Sequence, residues 1–198
     1  MNALLRCPHP AIPFPGSNRL IAQLDAAVAL GDCATVVEAL RHGMCTLIRD
    51  DAVQLPACVQ QPVDGHYARR ELYRSPQHGY SVVAMTWGPG QGTPLHDHDG
   101  LWCVEGVWHG QLEIVQYELL QREGERFRFR RVDSTTACIG SAGCLIPPHE
   151  YHTIRNVSDT AIAVSLHVYK SAMLRATSFQ PEHDDWYRRH AIDLATDA

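Results

Sequence analysis

The chain has 198 residues, 45% hydrophobic and 20% charged, and a net charge of -5 at pH 7. These values are typical of one globular domain large enough to bury a core. The acidic balance argues against a nucleic-acid or membrane partner, which would favour a basic surface. Seven cysteines without a CxxC pair do not indicate a disulfide framework. Because no apolar run suits a signal peptide or a membrane span, we expect a cytoplasmic protein. We also expect a monomer or a weak homo-oligomer.

The N-terminal third is predicted to contain an irregular arm and two helices. Residues 1–15 carry four prolines, and from Ser17 to about Asp51 apolar residues recur at steps of three and four. Gly31 marks a break, after which Asp32 can cap the second helix. We expect residues 1–60 to form the arm and the helices that cover a β-rich unit of residues 61–198, within one structural domain.

The rest of the chain is predicted to be mainly β. Residues 80–87 are β-branched and aromatic, and further strands are indicated at residues 103–108, 111–119, 126–132, 142–145 and 161–169. The last of these alternates an apolar row with a polar row of Ser165, His167 and Tyr169, which we expect to face the lumen of a barrel. The polar segment 183–190 is expected to lie at the surface.

Two histidines separated by one residue suggest a metal site. His96 and His98 project from the same face of a strand because side chains alternate with period two. His152 is the expected third ligand, with His149 as its main competitor and Glu105 as a further possible ligand. Three imidazoles can bind a divalent metal, but this ligand set suits iron, zinc, nickel or copper alike.

The spacing from Gly90 through His96 and His98 to Gly110 resembles the first motif of the cupins, in which most members carry a glutamate where this chain has Cys103. His152 followed four residues later by Asn156 resembles the second motif. The resemblance implies a cupin-type antiparallel β-barrel, or double-stranded β-helix, with the N-terminal helices packed outside it.

Within the cupins, the chain resembles the cysteine dioxygenases. The features that carry this resemblance are His96, His98, Cys103, Gly110, His152 and the row Ser165, His167, Tyr169. It implies that the three histidines hold Fe(II) and that L-cysteine is oxidised by O2 to cysteine sulfinic acid. It also implies that Arg69, in a segment with Tyr67, binds the substrate carboxylate. Arg70 is the alternative if the register differs by one residue.

The same resemblance implies a thioether crosslink between Cys103 and Tyr169 in at least part of the protein. It further implies that His167 orients the Tyr169 hydroxyl and that Ser165 fixes the imidazole. Three alternatives stay open: a 3-mercaptopropionate dioxygenase, a non-catalytic cupin that binds a small ligand, and a different metal cupin that uses Glu105. Nucleophilic catalysis by Ser165 is disfavoured because no Gly-x-Ser-x-Gly motif surrounds it.

Overall fold

The computed structural model describes residues 12–197, so most of the predicted arm lies outside the described residues. Two α-helices and a short 3-10 helix, Ala57–Gln60, precede a series of strands. The helices are α1 (Ser17–Val28) and α2 (Cys33–Ile48). The strands are β1 (Ala68–Arg74), β2 (Ser81–Trp87), β3 (Leu95–His96), β4 (Cys103–His109), β5 (Gln111–Glu123), β6 (Arg126–Cys138), β7 (Ala142–Leu145), β8 (His152–Asn156), β9 (Ala163–Tyr169), β10 (Arg175–Pro181) and β11 (Trp186–Asp193).

The helices form where the apolar periodicity predicts them. Asp32 caps α2, since its carboxylate accepts a hydrogen bond of 3.0 Å from the Thr35 amide. The apolar stripes of α1 and α2 pack against the outer face of one sheet. Gly106 on β4 permits this close approach, because a Cβ there would lie 2.6 Å from the Met44 Cγ.

The strands form two antiparallel sheets. One has five strands in the order β1-β2-β9-β4-β7, and the other closes on itself in the order β10-β11-β6-β5-β8-β3. Closure depends on β3, which pairs with β8 on one side and with β10 on the other. The structure thus confirms the predicted mainly-β, cupin-type fold with helices packed outside.

Alternation along β9 separates two cores. Val164, Leu166 and Val168 face the helices, whereas Ser165, His167 and Tyr169 face the space between the sheets. The sequence pattern therefore predicts the lumen-facing row correctly. A third cluster, rich in phenylalanine, lies within the closed sheet.

The segment 183–190 is largely exposed, as expected, but it is not an isolated surface stretch. Its second half belongs to β11, which pairs with β10 and β6. Within the described part of the chain, three of the four arginines of β6 form ion pairs with acidic residues: Arg126 with Glu182, Arg128 with Asp185 and Arg130 with Glu118.

The cysteines and the helices of residues 12–197 bear on the expected redox state and on membrane association. The six cysteines in this part of the chain are all free thiols. Within the same residues, no helix combines the length and the apolarity needed to cross a membrane.

Candidate metal centre and substrate pocket

Three imidazoles converge at one end of the closed sheet. His96 on β3 lies directly opposite His152 on β8, and His98 follows in the loop after β3. Their ring centroids are 4.5 to 5.3 Å apart, and one donor nitrogen from each lies within 4.8 Å of the others. The predicted set His96, His98 and His152 is thus brought together, whereas His149 is exposed and lies outside the cluster.

The cluster fits a metal ion. The Nδ1 of His98 and both ring nitrogens of His152 are buried and form no hydrogen bond with the described residues. His96 places its Nδ1 3.1 Å from the Pro94 carbonyl oxygen, which leaves its Nε2 for a ligand. Burial, and then the neighbouring histidines, hold the pKa values of His98 and His152 well below their usual range. Neutral buried imidazoles with unused nitrogens are the donor set that a divalent transition metal needs.

Two polar side chains fix the chain around this cluster. Asp97 Oδ1 accepts hydrogen bonds from the Thr177 amide at 2.8 Å and the Asp99 amide at 3.1 Å, which tie the histidine loop to β10. Asn156 Nδ2 donates to the carbonyls of Trp87, Gly88 and Ala161. The cupin-like spacing from His152 to Asn156 therefore corresponds to a structural tie between β8, β2 and the start of β9.

A row of hydrogen-bonding groups lies behind the histidines. Ser165 Oγ is 2.8 Å from His167 Nε2 and accepts a hydrogen bond of 2.9 Å from the indole of Trp87. The other ring nitrogen of His167 is 3.4 Å from the Tyr169 hydroxyl. Tyr169 in turn contacts the three-histidine cluster, since its ring lies edge-on to that of His98 with centroids 5.8 Å apart.

Cys103 and Tyr169 are directly opposite each other on β4 and β9. The thiol is fully buried, and its Sγ is 3.9 Å from His167 Nδ1. Burial, followed by the nearby Glu105, raises the pKa of the thiol well above its usual value, and burial also raises the pKa of the Tyr169 hydroxyl. Both groups therefore carry their protons at neutral pH.

Glu105 is not part of the histidine cluster. It lies on the same face of β4 as Cys103, and its Oε2 is 3.4 Å from His167 Nδ1. The possibility that Glu105 binds the same metal as His96 and His98 is therefore not supported by the geometry. Burial raises its pKa to about 8.

Arg69 and Arg70 face opposite sides of β1. Arg69 lines a small cavity of about 30 Å³ together with His96, Tyr169 and Tyr67. Arg70 instead donates a hydrogen bond of 3.2 Å to Thr86 Oγ1 on the helix-covered side of β2. The geometry thus favours Arg69 over Arg70 as the arginine of the pocket. Tyr67 stacks on Trp87 with ring centroids 4.6 Å apart.

The C-terminal segment, residues 192–197, closes this cavity. Ile192 and Leu194 line it, and the Arg69 guanidinium donates to the carbonyl oxygens of Ala195 and Met173 at 3.0 and 3.5 Å. Asp197 fastens the segment, because its Oδ2 accepts a hydrogen bond of 2.8 Å from the Arg69 amide.

Sequence reasoning missed Trp87 and the C-terminal segment as parts of the site. Trp87 shares the interior face of β2 with Val83 and Met85, and this alternation was the available signal. The C-terminal segment gives little such signal, because its polar residues alternate with few apolar ones.

Residues 63–181, more than half of the chain, match the family model described as cysteine dioxygenase type I. The chain belongs to this family. It is 28% identical over 103 residues to cysteine dioxygenase type 1 of Danio rerio, an alignment that covers 50% of this chain and 49% of the fish protein. Its identity to cysteine dioxygenase type 1 of Rattus norvegicus is 23% over 156 residues, covering 71% of this chain and 73% of the rat protein.

The solved structures to which part of the chain is similar include two bacterial proteins. One is an uncharacterized conserved protein with a double-stranded β-helix domain from Klebsiella pneumoniae, with a TM-score of 0.43 and 17% identity, covering 61% of this chain and 90% of that one. The other is an RmlC-like cupin protein from Desulfovibrio desulfuricans, with a TM-score of 0.41 and 16% identity, covering 62% of this chain and 96% of that one.

Proposed function

We propose that the protein is a non-haem iron thiol dioxygenase that oxidises L-cysteine with O2 to cysteine sulfinic acid. One observation carries the proposal: the cavity that contains Arg69 is lined by His96 of the three-histidine cluster and by Tyr169 of the row behind it. A carboxylate-binding arginine, a metal-binding cluster and a hydroxyl group thus share one pocket. Membership of the cysteine dioxygenase type I family supports the same reaction.

Arg69 is the proposed carboxylate binder. A guanidinium has five N–H donors in a planar fork that matches a carboxylate with paired hydrogen bonds. Backbone carbonyls engage two of the Arg69 nitrogens and hold the side chain against the pocket wall. Because the arginine is held in place, little conformational entropy remains to be lost when a substrate binds.

The row behind the pocket is proposed to orient Tyr169. His167 is fixed by Ser165, which is in turn held by the Trp87 indole, so the Tyr169 hydroxyl has a defined position beside the substrate. The raised pKa of Tyr169, caused by burial, keeps this hydroxyl protonated and able to donate a hydrogen bond. Met85, Ile192 and Leu194 complete a wall that excludes bulk water.

In the proposed reaction, the S–H bond of the substrate is replaced by two S–O bonds, and one proton is released as the sulfinate forms. Ferrous iron held by His96, His98 and His152 would supply the O2 chemistry when bound. The protein's own contribution is to position the thiol, to keep the pocket dry and to present a protonated Tyr169 hydroxyl beside the substrate.

3-Mercaptopropionate is the second candidate substrate. Among the described residues that line the pocket, none is acidic, so no side chain there pairs with the substrate ammonium. Cysteine would then depend on the metal for recognition of its amine, and a thiol acid without an amine would fit the same wall. Arg69 serves the carboxylate of either substrate.

We also propose the thioether between Cys103 and Tyr169. Residues directly opposite each other in an antiparallel pair have Cβ atoms about 4.5–5.5 Å apart, within reach of a sulfur and a phenol ring. Forming the bond removes the thiol hydrogen and a ring hydrogen, an oxidation for which O2 is the oxidant. Peptide mapping after turnover should find a joined Cys103–Tyr169 peptide lighter by two hydrogen atoms; only unmodified peptides would disprove it.

The deciding experiment is O2 uptake by iron-loaded protein with L-cysteine and 3-mercaptopropionate in parallel, with products identified by mass. Sulfinate formed from cysteine in proportion to the O2 consumed is the expected result. Turnover of 3-mercaptopropionate alone would establish the second candidate. If protein shown to hold iron consumed no O2 with either thiol, a non-catalytic ligand-binding cupin would replace both.

A further inference from the structure

Glu105 is a buried carboxyl group that the proposed reaction does not yet use. It is 6% exposed, and its Oε2 forms no hydrogen bond with the described residues although His167 Nδ1 is 3.4 Å away. Burying a carboxyl group without a good partner costs free energy, and an apolar residue would pack there at less cost. Stability alone therefore does not explain a glutamate at this position.

A second cavity begins at Glu105. It has a volume of about 210 Å³ and extends to Thr135, Thr136 and Ser141, all of which are exposed. Gly143 on β7 is the partner of Glu105 in the sheet register, and a Cβ at Gly143 would meet nothing within 4 Å. The missing side chain thus leaves the space beside the carboxyl group open.

The cavity is lined mainly by apolar side chains, but it has polar groups and room for water beside Glu105. Its volume is sufficient for several water molecules, and Glu105, Gln116 and Ser165 offer hydrogen-bonding groups along its wall. The cavity is distinct from the Arg69 pocket, with which it shares Ile154 in the wall. The cluster formed by His167, Tyr169 and Cys103 is therefore approached from two sides, by the substrate pocket and by the Glu105 cavity.

The proposed reaction releases one proton for each thiol oxidised, and the described walls of the Arg69 pocket contain no carboxyl group to receive it. We propose that Glu105 and its cavity carry this proton from His167 to solvent, on the side of the barrel away from Arg69. His167 Nδ1 lies 3.4 Å from both the Tyr169 hydroxyl and Glu105 Oε2. Tyr169 takes up the proton of the substrate thiol as it passes its own to His167 Nδ1, so the hydroxyl is protonated before and after the step, and Nδ1 passes the proton to the Glu105 carboxylate. Water in the cavity then receives it from Glu105. This assignment rests on the proposed function.

The surroundings of Glu105 suit such a relay. The titratable groups that face it are His167 and Tyr169 on β9 and Cys103 on its own strand, whereas Cys144 on β7 pairs with Val104 and packs on the helix-covered face. The residues of β5 and β6 that line the cavity are uncharged, and α2 packs on the opposite face of β4. A carboxyl group with a pKa of about 8 gains and loses a proton readily near neutral pH.

The test compares Glu105→Gln and Glu105→Ala with the matched control Glu113→Gln. Glu113 lies on β5, a strand that walls the cavity, but it is outside the cavity lining. With cysteine, Glu105→Gln should lower kcat about 10- to 100-fold, leave KM unchanged and enlarge the solvent deuterium isotope effect. Formate, which is small enough to enter the cavity, should restore kcat in Glu105→Ala but not in Glu105→Gln, and Glu113→Gln should match wild type.

Two readouts separate this role from a structural one. In the infrared difference spectrum between metal-free wild type and metal-free Glu105→Gln, a carboxylic acid band should disappear as pH rises through about 8. The difference removes the band of Glu150, whose pKa burial raises to about 7. A Gly143→Leu variant should plug the cavity and lower kcat as Glu105→Gln does. If Glu105→Gln kept kcat within two-fold of wild type, or if the loss came with a raised KM and no rescue by formate, the proton path would be disproved. Absence of thiol oxidation in wild type would instead remove the proposed function itself.

Discussion

Arg69 and Arg70 are adjacent on β1, so their side chains point to opposite faces of the sheet: Arg69 into the pocket and Arg70 towards Thr86. We expect Arg69→Gln to raise KM for cysteine about 10- to 100-fold, because a charge-assisted hydrogen bond to a carboxylate contributes about 1.5–3 kcal/mol. Cysteamine, which lacks the carboxylate, should be turned over equally well by wild type and variant. Steady-state O2 uptake measures both. An equal effect on the two thiols would show that Arg69 does not bind the carboxylate.

The raised pKa of Glu105 leads to a second prediction, about the pH dependence of the free energy of unfolding. Its folded-state pKa of about 8 lies above the ordinary value of 4.5, so between these pH values the native state binds more protons than the unfolded state. The free energy of unfolding therefore falls as pH rises, by up to about 1.4 kcal/mol per pH unit. His167, with a pKa lowered to about 3, acts in the opposite direction below pH 6.5. Between pH 6.5 and about 8 the slope for wild type comes from Glu105 and, up to about pH 7, also from Glu150, whose pKa burial raises to about 7. Comparison with Glu105→Gln removes the Glu150 contribution.

Across that window, metal-free Glu105→Gln should gain stability relative to wild type by about 2 kcal/mol at most, because glutamine does not ionise. Urea unfolding at several pH values gives the difference, in which the histidine contributions largely cancel. A constant difference between pH 6.5 and 8 would mean that the Glu105 carboxyl ionises normally in the native protein.

At the scale of single residues, the sequence predicted those site members that share one strand or one motif. The prediction that His96 and His98 share one strand was wrong, because β3 ends at His96 and His98 lies in the following loop, yet the pair motif still identified both members of the cluster. Ser165, His167 and Tyr169 do follow period-two alternation, on β9. The choice between His149 and His152, and the distance of Glu105 from the histidines, depend on strand register. Register arises from contacts between residues far apart in the chain, so the local pattern leaves it open.

At the scale of elements, the stretch that follows β11 acts as a cover for the Arg69 pocket. Asp197→Ala removes the hydrogen bond to the Arg69 amide and the contact with His66. The backbone hydrogen bond of 2.7 Å from the residue 197 amide to the Arg69 carbonyl remains, so the segment should loosen without detaching. We expect KM for the thiol to rise several-fold while the melting temperature changes little, because the residues concerned are partly exposed. Hydrogen exchange of residues 194–197 should become faster.

Asp193→Ala is the control for the cover, since Asp193 is 92% exposed and pairs only with Arg175 among the described residues. A thiol KM unchanged in Asp197→Ala, despite faster exchange of the segment, would mean that the cover does not contribute to substrate binding.

The secondary-structure elements show why the sequence predicts the helices and the longer strands better than the closure of the six-stranded sheet. The stripes of α1 and α2 and the alternation of β9 are local periodicities that follow from burial on one side. In contrast, β3 has two residues and β11 alternates weakly, and yet these two strands complete the closed sheet. Short strands of this kind are stabilised by their neighbours rather than by their own sequence.

At the scale of the whole molecule, the three-histidine cluster couples the stability of the fold to metal binding. His96 and His152 face each other across β3 and β8, and β3 also pairs with β10, so a metal bound by these histidines would tie together strands that close the sheet. Metal that binds the native state alone stabilises it by about 2.7 kcal/mol at one hundred times its Kd. For a chain of this size we therefore expect ferrous iron, added anaerobically, to raise the melting temperature by about 5 to 10 °C.

Chelation should reverse this shift, and His152→Ala should abolish it, whereas His149→Ala, which alters an exposed histidine outside the cluster, should retain it. Protons compete with metal for imidazoles, but burial holds the pKa values of His98 and His152 far below their usual range, so the native ligands remain neutral at mildly acidic pH. The shift should accordingly persist at pH 6. If His149→Ala lost the shift and His152→Ala retained it, His149 rather than His152 would be the third metal ligand. The cluster of His96, His98 and His152 would then not be the metal site, and the pocket assigned from it would be wrong.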